Sequence, residues 1–371
     1  MYNLDQLKSQ VRQLLFFHNI IPLSKLLKDS MLFPFEYLSS SGKASLPWAI
    51  NLLVTSKCNL HCEMCSFDAS KFCSPNEELS LEDIKLFIKD ISKRKIHIFL
   101  SGGEPFLRED IFEIIEGIKC SGLTWGICTN GTLLDENKII KLVKLKPEFI
   151  VFSLCGIKED HDKITGAAGS FERLLNNIKI LSSLKNKIRV IINCPITKSN
   201  LHRLKEVIEI VETLKVEMLR FEHLNFLTEQ DINEHNKVCE KEFSCEKIIL
   251  SSHFENNSVN DWQEFPKGIE RINKEIRKFK MPVYFKPFLN SSEIKSWYSN
   301  KFSINRKCYF VRRSLFITPS GDIIPCQFLI YKLGNIKNIS LEEVWNGKKY
   351  RELRLRLKKG LLPGCSRCCK L

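Results

Sequence analysis

From Trp48 onward, short apolar runs alternate with longer stretches in which apolar residues recur every three or four positions. The short runs read as strands: Ala49–Thr55, His97–Ser101, Thr124–Thr129, Phe149–Leu154, Ile188–Cys194 and Glu217–Glu222. Between them, Leu81–Lys93, Asp110–Cys120, Glu136–Leu145, Phe171–Leu184 and Leu201–Leu214 read as amphipathic helices, with Ser80 and Ser170 as N-caps. Each crossover helix must cover a face of the sheet, so six alternations imply parallel strands wound right-handedly. Six units fall short of the eight that close a barrel. The expected fold is therefore α/β, a partial (β/α)6 barrel with a small C-terminal unit.

The rhythm also divides the chain. Residues 1–47 read as a helical extension of two or three short helices, broken at Pro22 and Pro34, and 48–224 as the barrel. Residues 225–300 are richer in Asn, Ser and Glu and read as a connection, although Glu264–Lys278 looks helical and Pro282–Lys286 strand-like. Residues 301–371 form the smaller unit.

Composition narrows the chemistry. Fifteen cysteines among 371 residues exceed what packing needs, and secreted disulfide frameworks belong to much shorter chains. Metal or cluster binding in a reducing cytoplasm is the expectation. No run approaches the roughly 18 apolar residues of a membrane span, and the N-terminus lacks the pattern of a signal peptide. The net charge of +14 is spread through helices rather than gathered with aromatics, which argues against nucleic acid and leaves an acidic or phosphorylated substrate open. The densest basic run, Lys348–Lys359, reads as a solvated helix face.

Sites on such sheets gather where strands end and loops begin. Cys58, Cys62 and Cys65 follow the first strand in a Cys-x3-Cys-x2-Cys spacing. Three thiolates there can grip three irons of a cubane and leave the fourth open to chemistry; a zinc site would need a fourth local ligand, for which only His61 is at hand. Gly102-Gly103-Glu104-Pro105 follows the second strand, Asn130-Gly131-Thr132 the third, and Ser153 closes the fourth. Near the C-terminus, Cys308, Cys326, Cys365 and Cys368 could close around one centre, an iron–sulfur cluster or a zinc ion. Cys369, beside Cys368, competes as a ligand. Cysteines 73, 120, 128, 155, 194, 239 and 245 have no ligand spacing, and several of them, on expected strands or helices, read as buried apolar residues; His97, His202 and His223 have no visible partners.

These motifs, each placed after its strand, resemble the radical S-adenosylmethionine superfamily. The likeness runs over roughly 48–371. It implies that Cys58, Cys62 and Cys65 hold a [4Fe-4S] cluster whose open iron chelates S-adenosylmethionine. An electron from an external reductant such as flavodoxin or ferredoxin would then yield a 5′-deoxyadenosyl radical that abstracts a substrate hydrogen. Gly102, Gly103 and Glu104 would hold the methionine amino group, and Ser153 and Arg173 match positions that contact the cofactor in relatives. Met64 and Cys155 depart from the usual aromatic residue and Asp. The last 70 or so residues resemble the auxiliary-cluster domain called twitch, the shortened form of SPASM, implying one auxiliary [4Fe-4S] cluster on Cys308, Cys326, Cys365 and Cys368. A second cluster suits oxidoreductase chemistry, net oxidation or bond formation. The extension 1–47 is short for a peptide-recognition domain, which places a small-molecule, sugar or lipid-linked substrate ahead of a ribosomal peptide. A non-catalytic iron–sulfur electron carrier is the alternative of another class.

Anaerobic reconstitution should load about eight irons and eight sulfides, and Cys58→Ala, Cys62→Ala and Cys65→Ala together should remove about four. A full iron load in the triple variant would refute the assignment of the first loop.

Overall fold

The computed structural model describes residues 23–65, 77–185, 187–243, 262–299, 302 and 304–370. Cys73, Cys245 and the segment before Leu23 lie outside them. Seven strands run parallel in chain order: β1 (Ala49–Leu53), β2 (His97–Ser101), β3 (Thr124–Thr129), β4 (Phe149–Ser153), β5 (Arg189–Ile196), β6 (Met218–His223) and β7 (Val283–Lys286). On the other side of β1, β8 (Ser314–Ile317) pairs in parallel, and β9 (Asp322–Ile324) and β10 (Gly334–Asn335) add antiparallel edges. The order β10-β9-β8-β1-β2-β3-β4-β5-β6-β7 makes one open sheet of ten strands. The six expected strands are present, the strand of the connecting region extends them as β7, and the C-terminal unit continues the same sheet.

Crossover helices α2 (Leu81–Ile91), α3 (Ile111–Cys120), α4 (Glu136–Leu145), α5 (Lys158–Thr165), α6 (Ser170–Ser183) and α7 (Leu204–Thr213) bury their apolar stripes on the outer face of the sheet. Ser80 caps α2 through a reciprocal box with Asp83. Ser170 is not the cap of α6. Gly169, at φ 74, takes that place, and the Ser170 hydroxyl bonds Asp162 instead (2.8 Å). The first described helix, α1 (Leu23–Leu38), runs through Pro34 without breaking. One lost backbone bond is offset by packing of Phe33 and Tyr37 on Tyr309 and by the bond from Trp48 Nε1 to Asp29 (2.5 Å).

The inner face of the sheet has two levels. Towards the N-terminal ends, Phe149, Val151, Ile191 and Met218 pack with Trp48, Phe99, Cys128 and Tyr284. Towards the C-terminal ends the same faces carry Ser153, Asn193, Arg220, Glu222 and Lys286, because side chains two apart on a strand share a face. The mouth is thus polar over an apolar floor.

The connecting region supplies α8 (Glu229–Val238), α9 (Glu264–Glu275) and α10 (Ser291–Trp297), and the C-terminal unit adds α11 (Leu341–Trp345) and α12 (Lys348–Lys359). The basic run on α12 is not wholly a solvated face. Arg354 is buried between the rings of Trp345 and Tyr350 (4.2 Å each) and donates to Val311 O (3.0 Å) and Gly42 O (3.3 Å). No helix among the described residues is long and apolar enough to cross a membrane.

Arg354→Ala removes charge-assisted bonds from a buried site and should cost about 3 kcal/mol, read as a lowered urea midpoint of the cluster-free protein. A shift below about 1 kcal/mol would mean that the clamp does not hold the C-terminal unit.

Candidate active site

Strand β1 ends at Leu53, but its pairing with the β2 side continues. Val54 N donates to Ser101 O (2.9 Å), Gly103 N to Thr55 O (2.9 Å) and Glu104 N to Lys57 O (2.8 Å). The backbone that delivers Cys58 is therefore zipped to the glycine loop. No room is left for a side chain: a Cβ on Gly103 would fall 2.0 Å from Lys57 O, and one on Gly102, at φ +138, 2.5 Å from Thr55 O. The first demand on these glycines is the approach of two backbones.

Other groups fix the loop from the remaining sides. His61 N and Glu63 N donate to Thr165 O (3.1 Å) and Ile164 O (2.9 Å) at the end of α5. Asn59 bonds Thr132 and Asn130 (2.9 Å each), tying the loop to the end of β3. Glu78 accepts from Ser56 N (2.7 Å), Ser56 Oγ (2.6 Å) and Thr55 Oγ1 (3.0 Å), and Arg108 spans Val54 O and Leu79 O (2.8 Å each). Asn59, Glu78 and Arg108 carry no motif of their own, and sequence reasoning passed over them.

Glu104 is buried, with Oε1 accepting from Thr129 Oγ1 (2.7 Å) and Phe106 N (3.1 Å) and Oε2 from Asn130 N (2.7 Å). Burial pushes its carboxyl up to about 7. It latches the second loop to the third. Ser153 closes β4 at the same end of the sheet, near Cys128 Sγ (3.9 Å), whereas Arg173 lies exposed on the first turn of α6 and donates to Ala168 O (3.2 Å).

Cys58, Cys62 and Cys65 form no disulfide. Burial, then the charges of Cys65 and Cys58, push the Cys62 thiol up to about 12. Burial raises Cys58 too, and neighbouring thiols that resist ionising are relieved by a cationic group bound among them, so the donor set fits a metal–sulfur centre. The second set behaves alike. Burial and then Cys308 push Cys326 up to about 12, and burial followed by Cys326 and Cys308 raises Cys365. Cys368 is raised by its hydrogen bond with Cys369, by burial, and by the charges of Cys369 and Cys326. Cys326 thus lies within electrostatic reach of Cys308, Cys365 and Cys368, while Cys369 is hydrogen-bonded to Cys368 and feels Lys370, Lys286 and Glu222 as well. Among the described residues, no three His, Cys, Asp or Glu side chains are gathered for a single metal ion.

The connecting region positions this second set. Arg367, buried at φ 54, donates to Trp297 O (2.8 Å), Ser299 O (2.7 Å) and Asp231 Oδ2 (2.8 Å) and stacks on Phe226 (4.4 Å). Gly364 N donates to His235 Nδ1 (3.1 Å), and a Cβ there would meet the imidazole at 2.8 Å. Cys155 and Cys194 are buried as expected, but Cys120 is exposed and Cys128 half-buried on the inner face. The three histidines have partners after all: Thr124 for His97 (3.1 Å), Glu264 for His202 (3.3 Å) and Tyr298 for His223 (2.9 Å).

On the inner face, Arg220 Nε donates to Asn193 Oδ1 (2.8 Å), and Glu222 Oε1 accepts from Asn193 Nδ2 (3.1 Å) and Lys286 Nζ (3.2 Å). The run Glu217–Glu222 held the signal for this network, since Arg220 and Glu222 alternate with Leu219 and Phe221 in a strand otherwise buried.

An open parallel sheet thus carries a three-cysteine loop after its first strand and a second cysteine-rich segment in its C-terminal unit. Residues 52–211 match the radical SAM superfamily and residues 308–369 the SPASM iron–sulfur cluster-binding domain. The chain belongs to the radical SAM superfamily, and its cofactors are a [4Fe-4S] cluster that binds S-adenosylmethionine, an auxiliary cluster and S-adenosylmethionine itself. It is 28% identical over 310 residues to an AdoMet-dependent heme synthase of Methanosarcina barkeri, covering 81% of this chain and 83% of that protein. It is 24% identical to a tungsten-containing aldehyde ferredoxin oxidoreductase cofactor-modifying protein of Pyrococcus furiosus, over 85% and 86% of the two chains. Among solved structures, Streptococcus suis SuiB bound to its precursor peptide SuiA superposes with a TM-score of 0.61 at 17% identity, covering 88% and 69%. The anSMEcpe enzyme with bound AdoMet gives 0.58 at 18%, covering 82% of each chain. These two likenesses show the fold.

Gly103→Ala should unzip the cluster loop and lose about four irons while the second centre keeps its own, as read by iron analysis beside circular dichroism. A full iron load in this variant would show that the close backbone approach is dispensable.

Proposed function

We infer that the chain is an oxidoreductase acting on a small molecule, with the second centre taking the electron that the substrate gives up. One observation carries this reading: the chain segment that bears the second cysteine set runs on into the polar mouth of the barrel. Cys369 lies within electrostatic reach of Lys286 and Glu222, and Lys370 within reach of Glu222 and Arg220. A centre held by Cys308, Cys326, Cys365 and Cys368 would thus stand beside the space where substrate binds.

When bound, the two clusters and S-adenosylmethionine supply a 5′-deoxyadenosyl radical that takes a hydrogen atom and an acceptor for one further electron. The chain's own residues supply placement. Cys58, Cys62 and Cys65 would hold the first centre at the end of β1, braced by Asn59, Glu78 and Arg108. Gly102, Gly103, Glu104, Ser153 and Arg173 are assigned to S-adenosylmethionine on the resemblance. The M. barkeri heme synthase, which matches along most of both chains, supports a small-molecule substrate. SuiB, described with its precursor peptide, keeps peptide modification as the second reading, on a likeness of fold.

With dithionite and S-adenosylmethionine, the reconstituted protein should release 5′-deoxyadenosine slowly without substrate, and the Cys58, Cys62, Cys65 triple Ala variant should release none. Silence from wild type with intact, reduced clusters would favour the electron-carrier reading. Cys365→Ala with Cys368→Ala should keep this release yet form no product from the true substrate. One zinc and no iron at that site in the wild type would overturn the oxidative role.

A further inference from the structure

The inner face of β5, β6 and β7 carries more positive charge than its own residues neutralise. Glu222 supplies one negative charge, and its Oε1 is already engaged by Lys286 Nζ and Asn193 Nδ2. Arg220 is braced through Nε by the neutral amide of Asn193. Its two terminal nitrogens bond no acceptor among the described residues, and neither is sealed away from open space. Lys370, its Nζ over the Phe310 ring (5.4 Å), adds a third cation within electrostatic reach of Glu222 and Arg220.

These groups line a recess rather than the outer surface. The side chains of Lys286 and Glu222 are 27% and 26% exposed, yet the surrounding protein is dense enough for desolvation to be the main influence on Arg220 and Lys286 alike. A group both accessible and desolvated faces an internal space. A cation left uncompensated in such a place is costly, and an incoming anion repays that cost. Packing alone does not call for the charge, since Val151, Ile191 and Met218 close the floor of the same face with apolar side chains.

The geometry points to an oxyanion site: Arg220, with Lys286 beside it, takes a carboxylate or phosphate group of the substrate, and Asn193 and Glu222 hold the two cations in place. The free edge of a guanidinium offers paired donors that match either group. The substrate class is therefore a carboxylated or phosphorylated small molecule. This rests on the small-molecule reading above, and it makes the excess positive charge of the mouth a determinant of specificity.

The test is calorimetric, on anaerobically reconstituted protein saturated with S-adenosylmethionine, using succinate and inorganic phosphate as probes against chloride of equal ionic strength. Wild type should bind one probe better than chloride, and the preferred probe tells carboxylate from phosphate. Arg220→Met should weaken that binding about ten- to a hundredfold, and Lys286→Met less, whereas Arg203→Gln on the outer surface should leave it unchanged. Should Arg220→Met fail to load iron, Lys286→Met carries the test. Equal binding by wild type and by the folded Met variants, or no binding of either probe by wild type, overturns the proposal. So does binding seen only without S-adenosylmethionine, which would give Arg220 to that cofactor's own carboxylate. No turnover is needed, so failure here leaves the oxidoreductase reading to the 5′-deoxyadenosine assay, and silence in that assay leaves this result standing.

Discussion

The backbone pairing that outlasts β1 is the constraint on which the rest of the site depends. Parallel strands ordinarily part where their loops begin, yet here Thr55 O and Lys57 O accept from Gly103 N and Glu104 N beyond the strand ends. Each bond is worth about 1 kcal/mol by itself, but together they remove the freedom of the segment that presents Cys58. Glu104 extends the constraint by accepting from Thr129 and Asn130, so three consecutive loops move as one body. A centre held by three thiols needs such a base, because it receives no fourth protein ligand.

The polarity of the inner face follows from the same sheet. Alternation along each strand gives a set of inward positions, and the level along the strand decides what occupies them. Low on the strands the positions are apolar and closed, as with Phe149 over Gly126, where a Cβ would meet the ring at 2.8 Å. High on the strands, next to the loops, they are Ser153, Asn193, Arg220, Glu222 and Lys286. Apart from Arg189 at the foot of β5, which faces Glu148 (3.8 Å), the inner face carries its charges next to the loops.

The second centre depends on a region that looks like a linker. Thr228 caps α8 in a reciprocal box with Asp231, and Asp231 then accepts from Arg367, which stands between Cys365 and Cys368. His235, one turn further on, packs against Gly364. Strand β7, from the same region, carries Lys286 into the mouth. The end of the chain is thereby held by residues more than 100 positions earlier and delivered to the barrel.

Much of this was legible in the sequence. The strand–helix alternation from Ala49 to His223, the Cys-x3-Cys-x2-Cys loop and the Cys365-x2-Cys368 pair are local patterns, set by spacing and periodicity; the strands fall within two residues of expectation, α7 starts three residues late after a 3-10 turn, and α5 was not foreseen. Ser80 could be read as a cap because capping is decided within four residues. Ser170 could not, since Asp162 reaches across the turn for its hydroxyl and leaves the cap to Gly169. Pro34 was a break in the sequence and is an exposed residue of a continuous helix in the fold. Only tertiary structure could bring Asn59 to Asn130, Glu78 to Ser56, Arg367 to Asp231, and Arg220 and Lys286 to one recess. Those contacts join segments far apart in the chain, and no periodicity along a sequence encodes which distant residue a polar side chain will meet.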